Sequence, residues 1–179
     1  MASWAHPELG TFASEAWGGW TRRSTHPAFT KFKGGGDAFH LTLDTDEPEE
    51  EPSADVVAMA LSTLANCERL IESGLQALCD DFHGRGRDGG MWWRDGVDQI
   101  LEILEKKDSP EILDGPEKLY DWMSVPSILA QARGMGYPHP CSIISFQSPI
   151  DEEHGIGILT DGQDVIGIGY QTDTCPFEG

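Results

Sequence analysis

The segment Asp151-Glu-Glu-His154 sets carboxylates beside an imidazole, and these are the groups that general acid–base catalysis uses. Neighbouring side chains of a strand point to opposite faces of a sheet. Glu153 and His154 are therefore not expected to act together if both lie in one strand. The simplest interpretation is the start of a strand, with His154 hydrogen-bonded near the edge of the sheet. A small enzyme or ligand-binding domain that uses His154 and Glu153 stays open as an alternative function.

The stretch Gly84-Arg-Gly-Arg-Asp-Gly-Gly90 contains the glycine spacing of a dinucleotide-binding loop. That motif works between a strand and a following helix, where its glycines let a pyrophosphate approach the helix N-terminus. Here the glycines follow a predicted helix, so they indicate the C-terminal end of that helix instead. Arg85 and Arg87 still form a local basic spot, which leaves an anion-binding loop open as part of the same alternative function.

The segment between Leu43 and Pro52 is strongly acidic. Its carboxylates are those of Asp44, Asp46, Glu47, Glu49, Glu50 and Glu51. Calcium prefers six to eight oxygens in a shaped loop, which an EF-hand builds around a glycine. This segment has neither that spacing nor a glycine. We expect a solvated acidic loop over residues 44–52, with a recognition surface for a basic protein as a further interpretation.

Histidines and cysteines are too dispersed in this sequence to predict a metal site. The candidates are His83, His139, Cys141, His154 and Cys175. Structural zinc sites usually show paired ligands such as C-x-x-C, which the sequence lacks, and it also lacks a G-x-S-x-G nucleophile elbow. The sequence predicts no metal and no cofactor, and it leans against an enzyme.

Two of the four cysteines, Cys67 and Cys79, fall on one predicted helix. They are about 18 Å apart along its axis, too far for a disulfide. We expect reduced thiols in a cytoplasmic protein. The start of the chain does not read as a signal peptide, and no apolar run is long enough to span a membrane.

Tryptophan is the most informative aromatic residue here, with six copies in the chain. Trp17, Trp20 and Trp122 are expected in the core or on a sheet face, the common place of large aromatics. Trp92-Trp93 follows a glycine-rich loop, and adjacent residues cannot both face one core. One of this pair is therefore expected to be exposed, as a candidate partner-binding hot spot.

The charge balance narrows the classes of partner. The 179 residues carry 31 acidic and 12 basic side chains, for a formal net charge of −19. Nucleic acids and anionic membrane surfaces are disfavoured, because both are bound through Lys and Arg. A basic protein partner remains open, and so does a charge that serves solubility alone. The sequence does not indicate an oligomeric state.

A β-hairpin is the strongest structural signal. Asp161-Gly162 joins two alternating segments, residues 154–160 and 164–170, and Asp-Gly favours a type I′ turn, which needs positive φ at both central residues. That turn places Ile158 opposite Val165 and Gly157 opposite Ile166. Both faces then carry isoleucines beside glycines, so we expect the hairpin to be covered on both sides.

The remaining elements complete an α+β pattern. Strands are predicted over residues 11–17, 20–23, 29–33, 38–43 and 142–146. A long helix is predicted over residues 53–82, with Ser53 as its N-cap and Gly74 as its weakest point, and a second helix is predicted near 97–104. We expect one α+β domain over residues 1–179, with an antiparallel sheet built from N- and C-terminal hairpins and packed against one long helix and shorter helices.

Several of these motifs occur in the order of a known family. They are Leu9-Gly10-x-Phe12, Trp17-x-Gly19, Pro27-x-Phe29, Leu41-x-Leu43-Asp44, Leu119-Tyr120 and Asp151-Glu-Glu-His-Gly-Ile-Gly157. The chain thereby resembles an uncharacterised family of bacterial single-domain proteins, some of whose members lie near toxin or defence genes. The resemblance implies an immunity role and brings no catalytic residues with it.

The leading functional hypothesis is an acidic, non-enzymatic binding protein, of the kind that occludes a basic toxin or effector. The acidic loop would steer the encounter, and Trp92 or Trp93 would anchor the partner.

Overall fold

A single mostly antiparallel sheet dominates the computed structural model, which describes residues 2–16, 18–47 and 49–178. Its nine strands lie side by side in chain order. They are β1 (Ser3–His6), β2 (Gly10–Ser14), β3 (Trp20–Thr25), β4 (Ala38–Leu43), β5 (Ser124–Gln131), β6 (Cys141–Ser148), β7 (Asp151–Thr160), β8 (Val165–Gly169) and β9 (Thr174–Pro176). Every neighbouring pair is antiparallel except β4 and β5, which are parallel. The predicted α+β class is confirmed.

The parallel pair explains where the helices lie. Parallel neighbours need a long crossover, and the chain between β4 and β5 supplies it. The crossover holds α1 (Ala54–Ala65), α2 (Cys67–Phe82), α3 (Val97–Ile103) and the short 3₁₀ helices Pro110–Leu113 and Pro116–Trp122. Helix α1 packs on β4, β5 and β6, and α2 packs on β7 and β8. The main core therefore lies between the helices and one face of the sheet.

The predicted single long helix is wrong, because the chain breaks at Asn66 into α1 and α2. Ser53 is the N-cap as expected, and its side chain accepts a hydrogen bond from the backbone of Val56 at 3.3 Å. The Asn66 side chain donates to the carbonyl oxygens of Ser62 and Gly162 at 3.0 and 2.9 Å. The second of these bonds connects the helix break to the β7–β8 turn. Such a contact between distant segments cannot be predicted from the spacing of apolar residues along the helix.

Gly74, the predicted weak point, is instead a close contact between α2 and the sheet. A Cβ atom there would lie 2.7 Å from both Cγ1 and Cγ2 of Ile158, which is itself fully buried. The missing side chain therefore lets the helix approach β7 closely.

The closing hairpin has another register than predicted. Ile158 lies opposite Ile168, with an irregularity before the turn. Positive φ occurs at Gly162 and not at Asp161, so the predicted type I′ turn is wrong. The Asp161 carboxylate instead accepts hydrogen bonds from the backbone N–H groups of the two residues after Gly162, at 2.9 and 2.7 Å. The Asp161 side chain thus takes the place of a backbone carbonyl group, and the turn differs from type I′.

Both faces of β7 are covered over residues 155–160. Helix α2 covers one face. The second face carries a small cluster of Cys141, Ile143 and Leu159, and the C-terminal segment folds back over its glycines. A side chain at Gly157 would clash with the carbonyl oxygen of Tyr170. The glycines beside the isoleucines thus make room for neighbouring backbone.

Other elements differ from the sequence reading. The predicted strand 29–33 is wrong: residues 29–31 belong to a 3₁₀ helix, Pro27–Lys31, whose start is set by the fixed φ of Pro27. Strands β1, β5 and β9 were not predicted. The expected core position of Trp17 falls outside the described residues, whereas Trp20 is buried. Across the part of the chain that the structure describes, no helix combines the length and apolarity needed to cross a membrane.

Candidate functional site

A groove of about 510 Å³ lies at the start of β7. We call it the Trp92 groove, and the residues that define it are Trp92, Ile103, Asp151, Glu152, Glu153, His154 and Tyr170. Trp92 is 40% exposed and Ile103 is 48% exposed, although both are large apolar residues. Exposed apolar side chains that gather in one concave surface are typical of binding sites.

The buried side chain of Asp151 connects the residues of this groove through hydrogen bonds. Its side chain is only 8% exposed, and both of its carboxylate oxygens are used. The indole Nε1–H of Trp92 donates to Oδ2 at 3.1 Å, while Oδ1 accepts from the backbone N–H of His154 at 3.0 Å and lies 3.1 Å from His154 Nδ1. The carboxylate therefore fixes the position of both the tryptophan and the histidine.

The hydrogen-bond partner of His154 is Asp151, although regular strand alternation would place side chains three positions apart on opposite faces. Regular alternation fails here because the pairing of β6 with β7 is irregular between Phe146 and Ser148, whose partners are Ile156 and Asp151. This backbone lets positions three apart meet on one side. A hydrogen bond from Nδ1–H to this carboxylate selects the tautomer in which Nε2 is the acceptor nitrogen.

Aromatic rings form the wall of the groove. The His154 ring lies 4.6 Å from the Tyr170 ring, centroid to centroid, and Trp93 meets Tyr170 edge-on at 5.9 Å. Trp93 itself is fully buried, so the partner-binding role expected for it is wrong. Trp93 packs in the hydrophobic core, and its neighbour Trp92 lies at the surface.

The rim of the groove is acidic. Glu152 and Glu153 are exposed, and Glu153 Oε1 lies 4.0 Å from His154 Nε2. Carboxylates next to aromatic faces attract cations, through charge and through the ring quadrupole. The groove therefore suits a basic side chain attached to an apolar one.

The predicted anion-binding loop is occupied by contacts within the chain. Arg94 holds it together: its guanidinium donates to buried Asp81 at 2.7 Å and to the carbonyl oxygens of Arg85 and Arg87 at 3.3 and 3.4 Å. Arg85 pairs with Asp80 at 3.5 Å. The guanidinium of Arg87 lies over the Phe177 ring, 4.7 Å from its centroid. Both candidate arginines thus have internal partners and lie outside the Trp92 groove.

The acidic loop lies at the other end of the strands from the Trp92 groove. It follows β4, whose last residue, Leu43, lies opposite Ala130 near the end of β5. Partial burial raises the pKa of Asp44, and Asp46 adds to that effect. The other carboxylates of the loop, on Asp46, Glu47, Glu49, Glu50 and Glu51, are exposed. Strand β7 has ten residues, so roughly 30 Å separates its two ends.

The histidines and cysteines do not converge. Within residues 2–16, 18–47 and 49–178, no group of three or more His, Cys, Asp or Glu side chains is arranged to hold a metal ion. Cys67, Cys79 and Cys141 are buried, whereas Cys175 is exposed. Burial raises the pKa of the Cys67 thiol to about 12, so this thiol is not a reactive nucleophile.

Sequence reasoning named Glu153 and His154 together and Trp92 separately, and the structure places all three in one groove. It missed Asp151 as the common partner of Trp92 and His154, along with Ile103 and Tyr170. The spacing Asp-x-x-His was visible, but only the irregular backbone makes those two side chains meet.

None of the family models, curated proteins or solved structures compared with the chain matches it.

Proposed function

We propose that the protein is an acidic, non-enzymatic binding protein that receives a basic segment of a partner protein in the Trp92 groove. One observation carries the proposal: two exposed apolar side chains, those of Trp92 and Ile103, share a groove with the carboxylates of Glu152 and Glu153. Tryptophan is enriched among the few residues that dominate interface energies. The net charge of −19 favours a basic partner over an acidic one.

The most specific form of this function is an immunity or inhibitor protein that occludes a basic toxin or effector. An occluding protein needs a preformed anchor, because ordering side chains on binding weakens the complex. The hydrogen bond from Trp92 to buried Asp151 supplies that preorganisation by holding the indole in one orientation.

The test uses a defined probe, a capped Arg-Leu-Arg tripeptide, titrated into the full chain labelled with ¹⁵N. The indole N–H signal of Trp92 should shift and saturate, and a capped Glu-Leu-Glu tripeptide should leave it unchanged. Trp92→Ala should weaken binding by at least tenfold, since a hot-spot residue contributes about 2 kcal/mol or more. Met135→Ala is the matched control, because Met135 is exposed and apolar but lies outside the groove.

Equal binding of both peptides, or equal effects of the two alanine variants, would sink the proposal. If the proposal holds, affinity capture from the native host with wild type and with Trp92→Ala identifies the natural partner. It is the protein that the wild type captures and the variant does not.

A second candidate, a small enzyme or ligand-binding domain built on His154, is favoured by the buried carboxylate that holds its Nδ1. Such an arrangement would make Nε2, which lies 4.0 Å from Glu153 Oε1, the nitrogen that accepts a proton from a bound molecule. His154→Gln separates the two functions. If the wild type shows a catalytic activity that His154→Gln loses at an unchanged melting temperature, the enzyme is supported. If His154→Gln changes no catalytic activity but binds the Arg-Leu-Arg peptide more weakly, the binding protein is supported.

A further inference from the structure

A second pocket, of about 260 Å³, lies at the same end of the sheet as the Trp92 groove but is separate from it. Its lining includes Arg23, Lys33, Gly36, Phe39, His40 and Val125. An arginine, a lysine and a histidine thus share one small pocket in a chain where Asp and Glu outnumber Lys and Arg by 31 to 12. In the described residues, no carboxylate lines it.

The basic groups of this pocket lack internal partners. Among the described residues, neither Arg23 nor Lys33 pairs with a carboxylate. Six other basic side chains do form such pairs, namely those of Lys31, Arg69, Arg85, Arg94, Lys107 and Arg133. Arg23 and Lys33 are therefore two cations without carboxylate partners that line the same pocket.

The register of the sheet sets two of these groups side by side. Arg23 of β3 lies directly opposite His40 of β4. Side chains opposite each other on neighbouring strands are about 5 Å apart at Cβ. An anion bound between these two would therefore accept hydrogen bonds from both side chains.

The backbone around the pocket is strained at one point. Val125 has a φ of +48°, a conformation that is rare for any residue other than glycine and a clear outlier for a β-branched one. The pairing of β5 with β6 is irregular between Ser124 and Ser127, and the Val125 side chain is 51% exposed at the pocket. Strain of this kind gathers at ligand sites.

The mouth of the pocket is open and its inner part is aromatic. An added Cβ at Gly34 or Gly36 would meet nothing within 4 Å, so no neighbouring side chain closes this loop over the pocket. Phe29, Phe32 and Phe39 also line it, and each is at most 3% exposed. Small-molecule sites commonly combine such apolar walls with a few placed polar groups.

We infer that this pocket binds a small anion, a carboxylate or phosphate carried on a flat apolar group. The Arg23 guanidinium matches the two oxygens of either group with parallel N–H donors. Lys33 supplies a second positive charge and His40 a further hydrogen bond, and the apolar part packs against Val125 at the pocket. The pocket shares no lining residue with the Trp92 groove, so either proposal can fail alone.

The experiment titrates the ¹⁵N-labelled full chain with phenyl phosphate, with benzoate and with benzyl alcohol, their neutral counterpart. Saturable shifts are expected at Arg23, His40, Val125 and the loop 33–38 for at least one of the two anions. Benzyl alcohol should bind at least tenfold more weakly, because a charge-assisted bond is lost. Comparing the two anions shows which headgroup the pocket prefers.

Two pairs of variants test the site. Arg23→Gln should weaken anion binding at least tenfold, whereas Arg133→Gln, the same change at a distant and exposed ion pair with Asp46, should not. Gly36→Phe should block the pocket, whereas Gly36→Ala should keep binding, since its Cβ meets no atom. The glycine pair still decides the question if Arg23→Gln does not fold. Equal binding of benzyl alcohol, equal effects of the two arginine variants, or the absence of saturable binding would overturn the inference.

Discussion

Trp92 and Asp151 are joined by a hydrogen bond of 3.1 Å between the indole Nε1–H and the carboxylate Oδ2, although they are 59 residues apart in the chain. The same carboxylate holds His154 through its other oxygen. One buried acidic side chain therefore positions the aromatic anchor and the histidine of the groove together.

Asp151→Asn should disturb both contacts. An amide offers one acceptor oxygen in place of two, and its NH₂ faces donors of the groove. We expect the Nε2–H tautomer of His154 to gain population, read from the ring ¹⁵N chemical shifts, and the free energy of unfolding to fall by about 1–3 kcal/mol. Asp173→Asn, an exposed carboxylate, is the control. Unchanged ring shifts in Asp151→Asn would show that the carboxylate does not set the tautomer.

Electrostatic steering into the groove should depend on Glu152 and Glu153 more than on the acidic loop. The loop lies at the far end of β7, roughly 30 Å away, and charges are screened over about 8 Å at physiological ionic strength. The double substitution Glu152→Gln with Glu153→Gln should slow association of the Arg-Leu-Arg probe or of the natural partner. Glu49→Gln with Glu50→Gln removes the same charge from the loop and should change the association rate little, as measured by stopped-flow fluorescence. The opposite order of effects would return the steering role to the loop.

Gly74→Ala should destabilise the protein although alanine is the better helix former. The new Cβ would lie 2.7 Å from two carbons of fully buried Ile158, and overpacking costs about 1–3 kcal/mol, against roughly 1 kcal/mol gained in helix propensity. Urea denaturation of Gly74→Ala measures the balance. Adding Ile158→Val should recover part of the loss. Gly36→Ala, where the Cβ meets nothing, should be close to neutral.

Arg94→Met should lower the melting temperature by about 10 °C, because it leaves the carboxylate of fully buried Asp81 without its cation. The loop 84–90 should also lose protection from hydrogen exchange, since Arg94 binds its carbonyl oxygens. Arg85→Gln removes an exposed pair with Asp80 and should leave the melting temperature nearly unchanged. Similar effects of the two substitutions would mean that Asp81 does not depend on Arg94.

Stability should fall in alkali through the buried thiols. Burial raises the pKa of Cys67 from 9.0 to about 12, and burial also raises the pKa values of Cys79 and Cys141. Between pH 9.0 and about pH 12, the Cys67 thiol is deprotonated in the unfolded chain but still protonated in the folded chain. The contribution of Cys67 is thus complete below about pH 8 and is lost as the pH rises to about 12, with a slope near 1.4 kcal/mol per unit.

Urea denaturation from about pH 9 to pH 11 should therefore show a shallower decline for Cys67→Ala than for wild type. Cys175→Ala, which removes an exposed thiol, should decline in parallel with wild type. Parallel lines for all three proteins would contradict the assignment to Cys67.

The sequence alone determined the class of fold and the positions of several elements. Alternation over residues 38–43 predicts β4, and the apolar spacing from Val57 to Phe82 predicts helix, because burial of one face imposes a period of two or of 3.6 residues. Ser53 was identifiable as an N-cap because that signal is local. The sequence also singled out Trp92 and His154 as chemically notable.

Only the tertiary structure decided how these parts meet. The break at Asn66 depends on a hydrogen bond to Gly162, 96 residues away. The choice between Trp92 and Trp93 depends on which indole is packed into the core, and the pairing of Asp151 with His154 depends on the irregular pairing of β7 with β6. Local periodicity reports which face of an element is apolar, whereas these contacts are fixed by packing between segments that are distant in the chain.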